Sequence, residues 1–257
     1  MLAVFVNCVA VIVGSLIGIL FAKKISDNMS EIIQTAAGVI TVVLGLQMAF
    51  KFQNVIYLAL SLFIGGIVGT ALDLDGKILG IGNTIGKLLP KNSAANADVS
   101  SNSDNNSNAN AAASTNFGYA FLNASCLFCV GAMAILGSFE AGISKNYTII
   151  FTKSILDGFM AITFAASMGI GTMFSFVAIF VYQGLLTLLS TFLQPFVTEQ
   201  MLAEITGVGG AMIMMIGINL LGLKKIKTAN YLPGIIFVII FVLLDPYFMQ
   251  LKDFLLH

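Results

Sequence analysis

Residues 2–21 read LAVFVNCVAVIVGSLIGILF, twenty residues without one charge. A helix needs about 20 mostly apolar residues to cross the hydrocarbon of a bilayer, so this run alone is long enough to span. Seven further stretches answer the same description: 32–50, 55–72, 117–136, 149–168, 174–192, 204–222 and 231–244. The expected fold is therefore all-α, a polytopic membrane helix bundle of eight transmembrane helices. Pro233 suits a first helical turn, and Asp245-Pro246 interrupts the far end, so the eighth span is expected to be short or kinked. No basic region or small-residue cleavage site accompanies the first run, which is expected to stay as a span and not act as a signal peptide.

The composition agrees. Of 257 residues 58% are hydrophobic and 9% charged, against about 25% charged in soluble domains, too few to coat a surface in water. Twelve basic and twelve acidic residues cancel, so no basic excess argues for nucleic acid as a partner. Every basic residue is Lys, which removes the bidentate Arg fork from anion recognition. The only His is His257, and that excludes Ser/His/Asp triads, imidazole relays and His-ligated metal sites. Neither a metal nor a cofactor is expected. The partners expected are the lipid bilayer, a small solute or ion, and a second copy of the chain in a homo-oligomer.

Lysine placement sets orientation, because cytoplasmic loops carry the excess. With the N-terminus outside, Lys23, Lys24, Lys77, Lys87, Lys91, Lys224, Lys225 and Lys227 face the cytoplasm, and Lys51, Lys145 and Lys252 face away. Eight against three predicts both termini outside. Between spans three and four, Ile78, Ile81, Ile85 and Leu88 recur at helical spacing opposite Lys77, Thr84 and Lys87. Residues 75–89 thus read either as a helix lying on an anionic leaflet or as an extension of the third span. Residues 92–116, almost wholly Asn, Ser and Ala, read as a disordered tether.

Shifting the chain by 172 residues sets 25–49 beside 197–221 without a gap, matching Met29 with Met201, Ile33 with Ile205, Gly38 with Gly210 and Gly45 with Gly217. Ser26, Asp27 and Asn28 fall on Thr198, Glu199 and Gln200, Gln47 falls on Asn219, and Asp73 falls on Asp245. With two spans between the copies, spans 1–3 and 6–8 would form an inverted repeat, the architecture of many secondary transporters. The chain then divides into 1–76 (first repeat), 77–116 (cytoplasmic amphipathic helix and linker), 117–170 (central hairpin of spans 4 and 5) and 171–257 (second repeat). Gly38, Gly45, Gly210 and Gly217 are candidate hinges or close-packing positions.

Polar groups inside spans need a reason to be there. Lys153 and Asp157 lie four apart, on one helical face of span five. Either they simply neutralise each other or they belong to a pathway. Tyr182 and Gln183 sit side by side at the centre of span six and cannot both face lipid unpaired. Asn7, Gln47 and Asn219 need partners in the bundle as well. The candidate solute or ion pathway is therefore Lys153, Asp157, Tyr182, Gln183, Asn7, Gln47 and Asn219. Glu204, at the start of span seven, is expected to favour that helix's N-terminus. Cys126-Leu-Phe-Cys129 has redox spacing but lies inside span four, where small packing residues are the simpler reading.

The stretches at residues 128–137 (FCVGAMAILG), 153–158 (KSILDG), 182–184 (YQG), 208–210 (VGG), 218–222 (INLLG) and 229–233 (ANYLP) resemble, in order, the YqgA/YdfK-type family of multi-pass bacterial inner-membrane proteins. This family is of unknown function and is commonly labelled as transport proteins. The resemblance covers nearly the whole chain apart from the tether and implies a multi-pass protein of the bacterial cytoplasmic membrane, without naming a substrate. The sequence thus points to a secondary transporter or channel for a small polar or ionic solute, and not to an enzyme. The alternatives are a non-transporting oligomeric scaffold packed through its glycine faces, or a membrane thiol redox protein using Cys126 and Cys129.

Overall fold

The computed structural model of the chain describes residues 1–22, 27–78, 80 and 109–256, and among them there is no β-strand. The helices are α1 (Leu2–Ala22), α2 (Asp27–Ala49), α3 (Val55–Ala71), α4 (Ala109–Cys129), α5 (Ala132–Ile143), α6 (Thr148–Met168), α7 (Gly171–Leu188), the short α8 (Ser190–Leu193), α9 (Glu199–Leu220) and α10 (Pro233–Leu256). Their ends follow local chemistry. The side chain of Asn54 accepts from the Ile56 amide to start α3, and that of Thr198 accepts from the Met201 amide to start α9. Gly169, at φ +82°, caps the end of α6 in a conformation that L residues rarely adopt.

Among the described residues six segments are long and apolar enough to cross a membrane: Leu2–Ala22, Glu31–Ala49, Thr148–Met168, Gly171–Leu188, Glu199–Leu220 and Thr228–Asp245. Two of the eight expected spans take another form. The third, α3, has only 17 residues, about 26 Å at 1.5 Å per residue. The fourth is broken into α4 and α5, which meet at 63°. Helix α10 stays helical on both sides of Pro246. Helix α4 begins at Ala109, so 109–116 is helical where a tether is expected from composition; its alanines are the strongest helix formers and extend the apolar helix that follows. Residues 79 and 81–108, with most of the expected amphipathic helix and the rest of the tether, lie outside the described residues, as do Lys23, Lys24, Lys87 and Lys91.

Glycines let the helices approach backbone to backbone. Gly14 and Gly18 of α1 lie on the carbonyls of Gly158 and Ile162 of α6, so these two helices run parallel. Helices α2 and α9 run antiparallel. A Cβ on Gly45 would stand 2.5 Å from the Met214 nitrogen, one on Gly217 would stand 2.7 Å from the Val42 nitrogen, and one on Gly38 would meet the Leu221 side chain at 2.8 Å. Helix α3 lies against α10 through Gly65 and Gly234, and α1 lies against α7, with the rings of Phe5 and Phe180 5.4 Å apart. The most enclosed helix is α9, its buried residues falling on every face.

The contacts sort the helix ends into two groups. At one end of the bundle Ala3, Ala141 and Ile150 pack together, Gly142 abuts Ser190, and Tyr57 bonds Asp245. At the opposite end Gly171 abuts Phe117, and Asn230 joins Asp75 to Thr70.

Candidate functional site

Four buried polar side chains meet between α1, α6 and α7. Lys153 Nζ donates to Asp157 Oδ2 at 2.5 Å, one helical turn along α6. Asn7 Nδ2, from α1, donates to the same carboxylate oxygen at 3.1 Å and to Gln183 Oε1 of α7 at 3.2 Å. Asn7 and Gln183 have no exposed surface, and Lys153 and Asp157 are 6% and 7% exposed. The amide orientations follow from charge: Asn7 must turn its NH2 to the carboxylate, and Gln183 must then turn its oxygen to that NH2. Among the described residues this leaves Asn7 Oδ1 and Gln183 Nε2 buried without a partner.

The broken helix packs against α6 and α7, the helices that carry three of the four cluster residues. Gly131 at φ +126° makes the corner between α4 and α5, a backbone that no residue with a Cβ adopts without strain. The Ala132 N–H freed by the break is taken by Thr206 Oγ1 of α9 at 3.1 Å, and Gly209 gives Val130 the space to pack. Cys129, the last residue of α4, lies within electrostatic range of Lys153, Asp157 and Tyr182. Tyr182 itself is half-buried. The sequence shows no sign of this corner, because Gly131 sits in an unbroken apolar run.

The remaining candidates lie apart. Gln47 is exposed on α2. Asn219 clamps the loop after α9, its Oδ1 accepting from the Ile226 amide at 2.6 Å and its Nδ2 donating to the Ile226 carbonyl at 2.9 Å. Gly38, Gly45, Gly210 and Gly217 all lie in the close-packed α2–α9 seam, away from the polar cluster. The three cysteines are free thiols, with Cys8 and Cys126 buried and Cys129 half-buried. Among the described residues no group of three His, Cys, Asp or Glu is placed to hold a metal ion.

Two further acids have roles that hydropathy does not reveal. Glu204 is fully buried, but the start of α9 is capped by Thr198. Glu204 instead caps α3: its Oε1 accepts the amides of Gln53 at 3.0 Å and Asn54 at 2.6 Å. The expected N-terminal role thus goes to a different helix, because Thr198 starts α9 ahead of Glu204 and leaves that side chain free to reach across. At the other end Asp75, just past α3, is buried beside Lys227, accepts from the Ala229 amide and bonds Tyr119. Burial pushes its carboxyl above the usual carboxylate range, against the opposing pull of Lys227 and the Ala229 N–H.

Residues 2–243 match a family described as "Protein of unknown function (DUF554)". The chain is 31% identical over 243 residues to the uncharacterized membrane protein YdfK of Bacillus subtilis (strain 168), covering 92% of this chain and 94% of that one. It is 23% identical over 232 residues to the uncharacterized protein YqgA of Escherichia coli (strain K12), covering 90% of this chain and 92% of that one. No solved structure matches the chain.

Proposed function

The chain belongs to the DUF554 family, and on that premise we propose that it is a secondary transporter for a small polar or ionic solute, with the Asn7–Asp157–Lys153–Gln183 cluster as its binding site. The observation that carries the reading is the cluster itself: a buried ion pair and two half-satisfied amides, set beside a helix broken in the bundle interior. Groups of this kind are costly in hydrocarbon and mark solute or ion paths, and broken helices at mid-bundle line such sites.

In this reading the chain crosses the membrane eight times, with α3 as a short span and α4–α5 as one broken span running from the Gly171 end of the bundle to the Ala141 end. Lys77, Lys224, Lys225 and Lys227 stand with the Asp75 end, which faces the cytoplasm of a bacterial inner membrane and puts both termini outside. The contacts between α2 and α9 also support an inverted repeat. Under the 172-residue shift the Gly38–Gly217 contact becomes Gly210–Gly45, Val42–Gly217 becomes Met214–Gly45, and Leu221–Gly38 becomes Ala49–Gly210, and all of these contacts occur. Two such halves supply the two access states of a rocking carrier. The central seam of the repeat is closed by glycine packing, so the solute path lies beside it, between α1, α6 and α7.

In the resting state Lys153 occupies Asp157. Solute binding competes for that carboxylate, and exchange of one partner for the other is what links occupancy to rearrangement. The scaffold reading is weaker, because the glycine faces it would use for other copies are already taken inside the chain. The test is uptake into proteoliposomes across a panel of amino acids, small cations and small anions. Saturable uptake of at least one solute, lost in Asp157→Asn while the protein remains monodisperse, is the expected result. Equal uptake by wild type and Asp157→Asn would overturn the role of the cluster.

A further inference from the structure

The charges and orphaned atoms of the cluster together describe a ligand. Lys153 uses one of its three N–H donors on Asp157. Both hydrogen bonds to Asp157 fall on Oδ2, which leaves Oδ1 without one among the described residues. Among the same residues Gln183 contributes an unpartnered buried donor and Asn7 an unpartnered buried acceptor. The site thus offers a cation with an extra donor and an anion with an extra acceptor. We propose that its ligand is a small zwitterion bearing an ammonium and a carboxylate, the chemistry of an α-amino acid.

In this arrangement the ligand carboxylate takes Lys153 Nζ and Gln183 Nε2, and its ammonium takes Asp157 Oδ1 and Asn7 Oδ1. The inference deepens the transport reading and rests on it. Charge conservation singles out a zwitterion among charged solutes. A lone cation on Asp157 strands the Lys153 ammonium, and a lone anion on Lys153 strands the Asp157 carboxylate, each in a site less than a tenth exposed. A zwitterion replaces the internal ion pair charge for charge, so no uncompensated charge is held in the bundle at any stage. The same exchange satisfies both orphaned amide atoms, which an inorganic ion of either sign would leave half-served.

The experiment measures binding and uptake of radiolabelled glycine, the smallest molecule carrying both charges, by the full-length protein in nanodiscs and proteoliposomes. Methylammonium and acetate serve as the separated halves. The expected result is saturable glycine binding, with each half competing about tenfold or more weakly, the effect of losing one charge-assisted contact. Gln183→Met should weaken glycine binding by a similar factor, and the charge-free double variant Lys153→Met/Asp157→Leu should abolish it while eluting as a folded species. Asp157-dependent uptake of methylammonium or acetate with no glycine binding would overturn the zwitterion and leave transport standing. No binding or uptake of any solute, with the protein folded, would overturn both.

Discussion

Replacing Asp157 with Leu would strand an ammonium inside the bundle, and the size of the penalty can be worked from position. Asp157 lies nine residues into the 21-residue helix α6, about 14 Å along a helix some 31 Å long at 1.5 Å per residue, close to its middle. Lys153 lies four residues nearer the start, about 8 Å in, so its stem gives it a partial route toward the membrane surface. Breaking a buried pair by removing one partner typically costs about 3–5 kcal/mol, and snorkelling moves this case to the lower part of that range. Asn7 also loses the better of its acceptors, which adds about 1 kcal/mol. A net loss near 4–5 kcal/mol is therefore expected for Asp157→Leu. The double variant Lys153→Met/Asp157→Leu removes both charges and should recover to within about 1 kcal/mol of wild type. Reversible unfolding in mixed micelles, run as a double-mutant cycle, measures the coupling directly. A double variant as stable as wild type but unable to transport means the pair is kept for function and not for stability. If both variants are destabilised equally, or Asp157→Leu costs nothing, the pair is not the isolated buried unit described here and the reasoning fails.

Other perturbations test separate parts of the structure. Gly45→Leu should destabilise by more than about 2 kcal/mol, because even a Cβ would stand 2.5 Å from the Met214 nitrogen; thermal unfolding in detergent checks this, and Gly222→Ala, with open space at its Cβ but φ +70°, should cost about 1 kcal/mol through backbone strain alone. Thr206→Val removes the acceptor for the Ala132 N–H at the helix break and should cost about 1–3 kcal/mol, with hydrogen exchange rising first at Ala132. Glu204→Gln keeps an oxygen for the Gln53 and Asn54 amides and should unfold near wild type, whereas Glu204→Ala should lose about 1–3 kcal/mol. Burial raises the folded-state pKa of Asp75, so its contribution is fully present at acid pH and is lost as pH rises from the ordinary carboxylate range through that raised value. Asp75→Asn should flatten this slope in a pH series of unfolding midpoints, and an unchanged slope would refute the assignment.

What could be read from sequence follows the range of the physics. Hydropathy is a sum over one helix, so α1, α2, α6, α7 and α9 are legible from their own residues. Lys153 and Asp157, four apart on one helix, form a pair visible as a local pattern. Asn7 and Gln183 are recognisable as polar residues in need of partners, but their bond joins positions 176 residues apart, and no local spacing encodes it. Gln47 and Asn219 match under the repeat yet diverge in place: one is exposed, and the other is tied into the loop after α9. The corner at Gly131 is hidden because a positive φ leaves no mark on composition. Glu204 likewise looks like a residue of its own helix until α3 is seen to start against it.

A transport role for the cluster between α1, α6 and α7 requires that solute reach it from both faces of the membrane. Cys129 offers a native reporter, at the helix break and within electrostatic range of Lys153 and Asp157. With Cys8 and Cys126 replaced by Ser, a membrane-impermeant thiol reagent can be added to right-side-out or inverted vesicles in turn. Cys129 should be labelled from either side, and Asp157→Asn should change the ratio of the two rates. Labelling from neither side, or from one side only and at the same rate in both variants, would contradict that role.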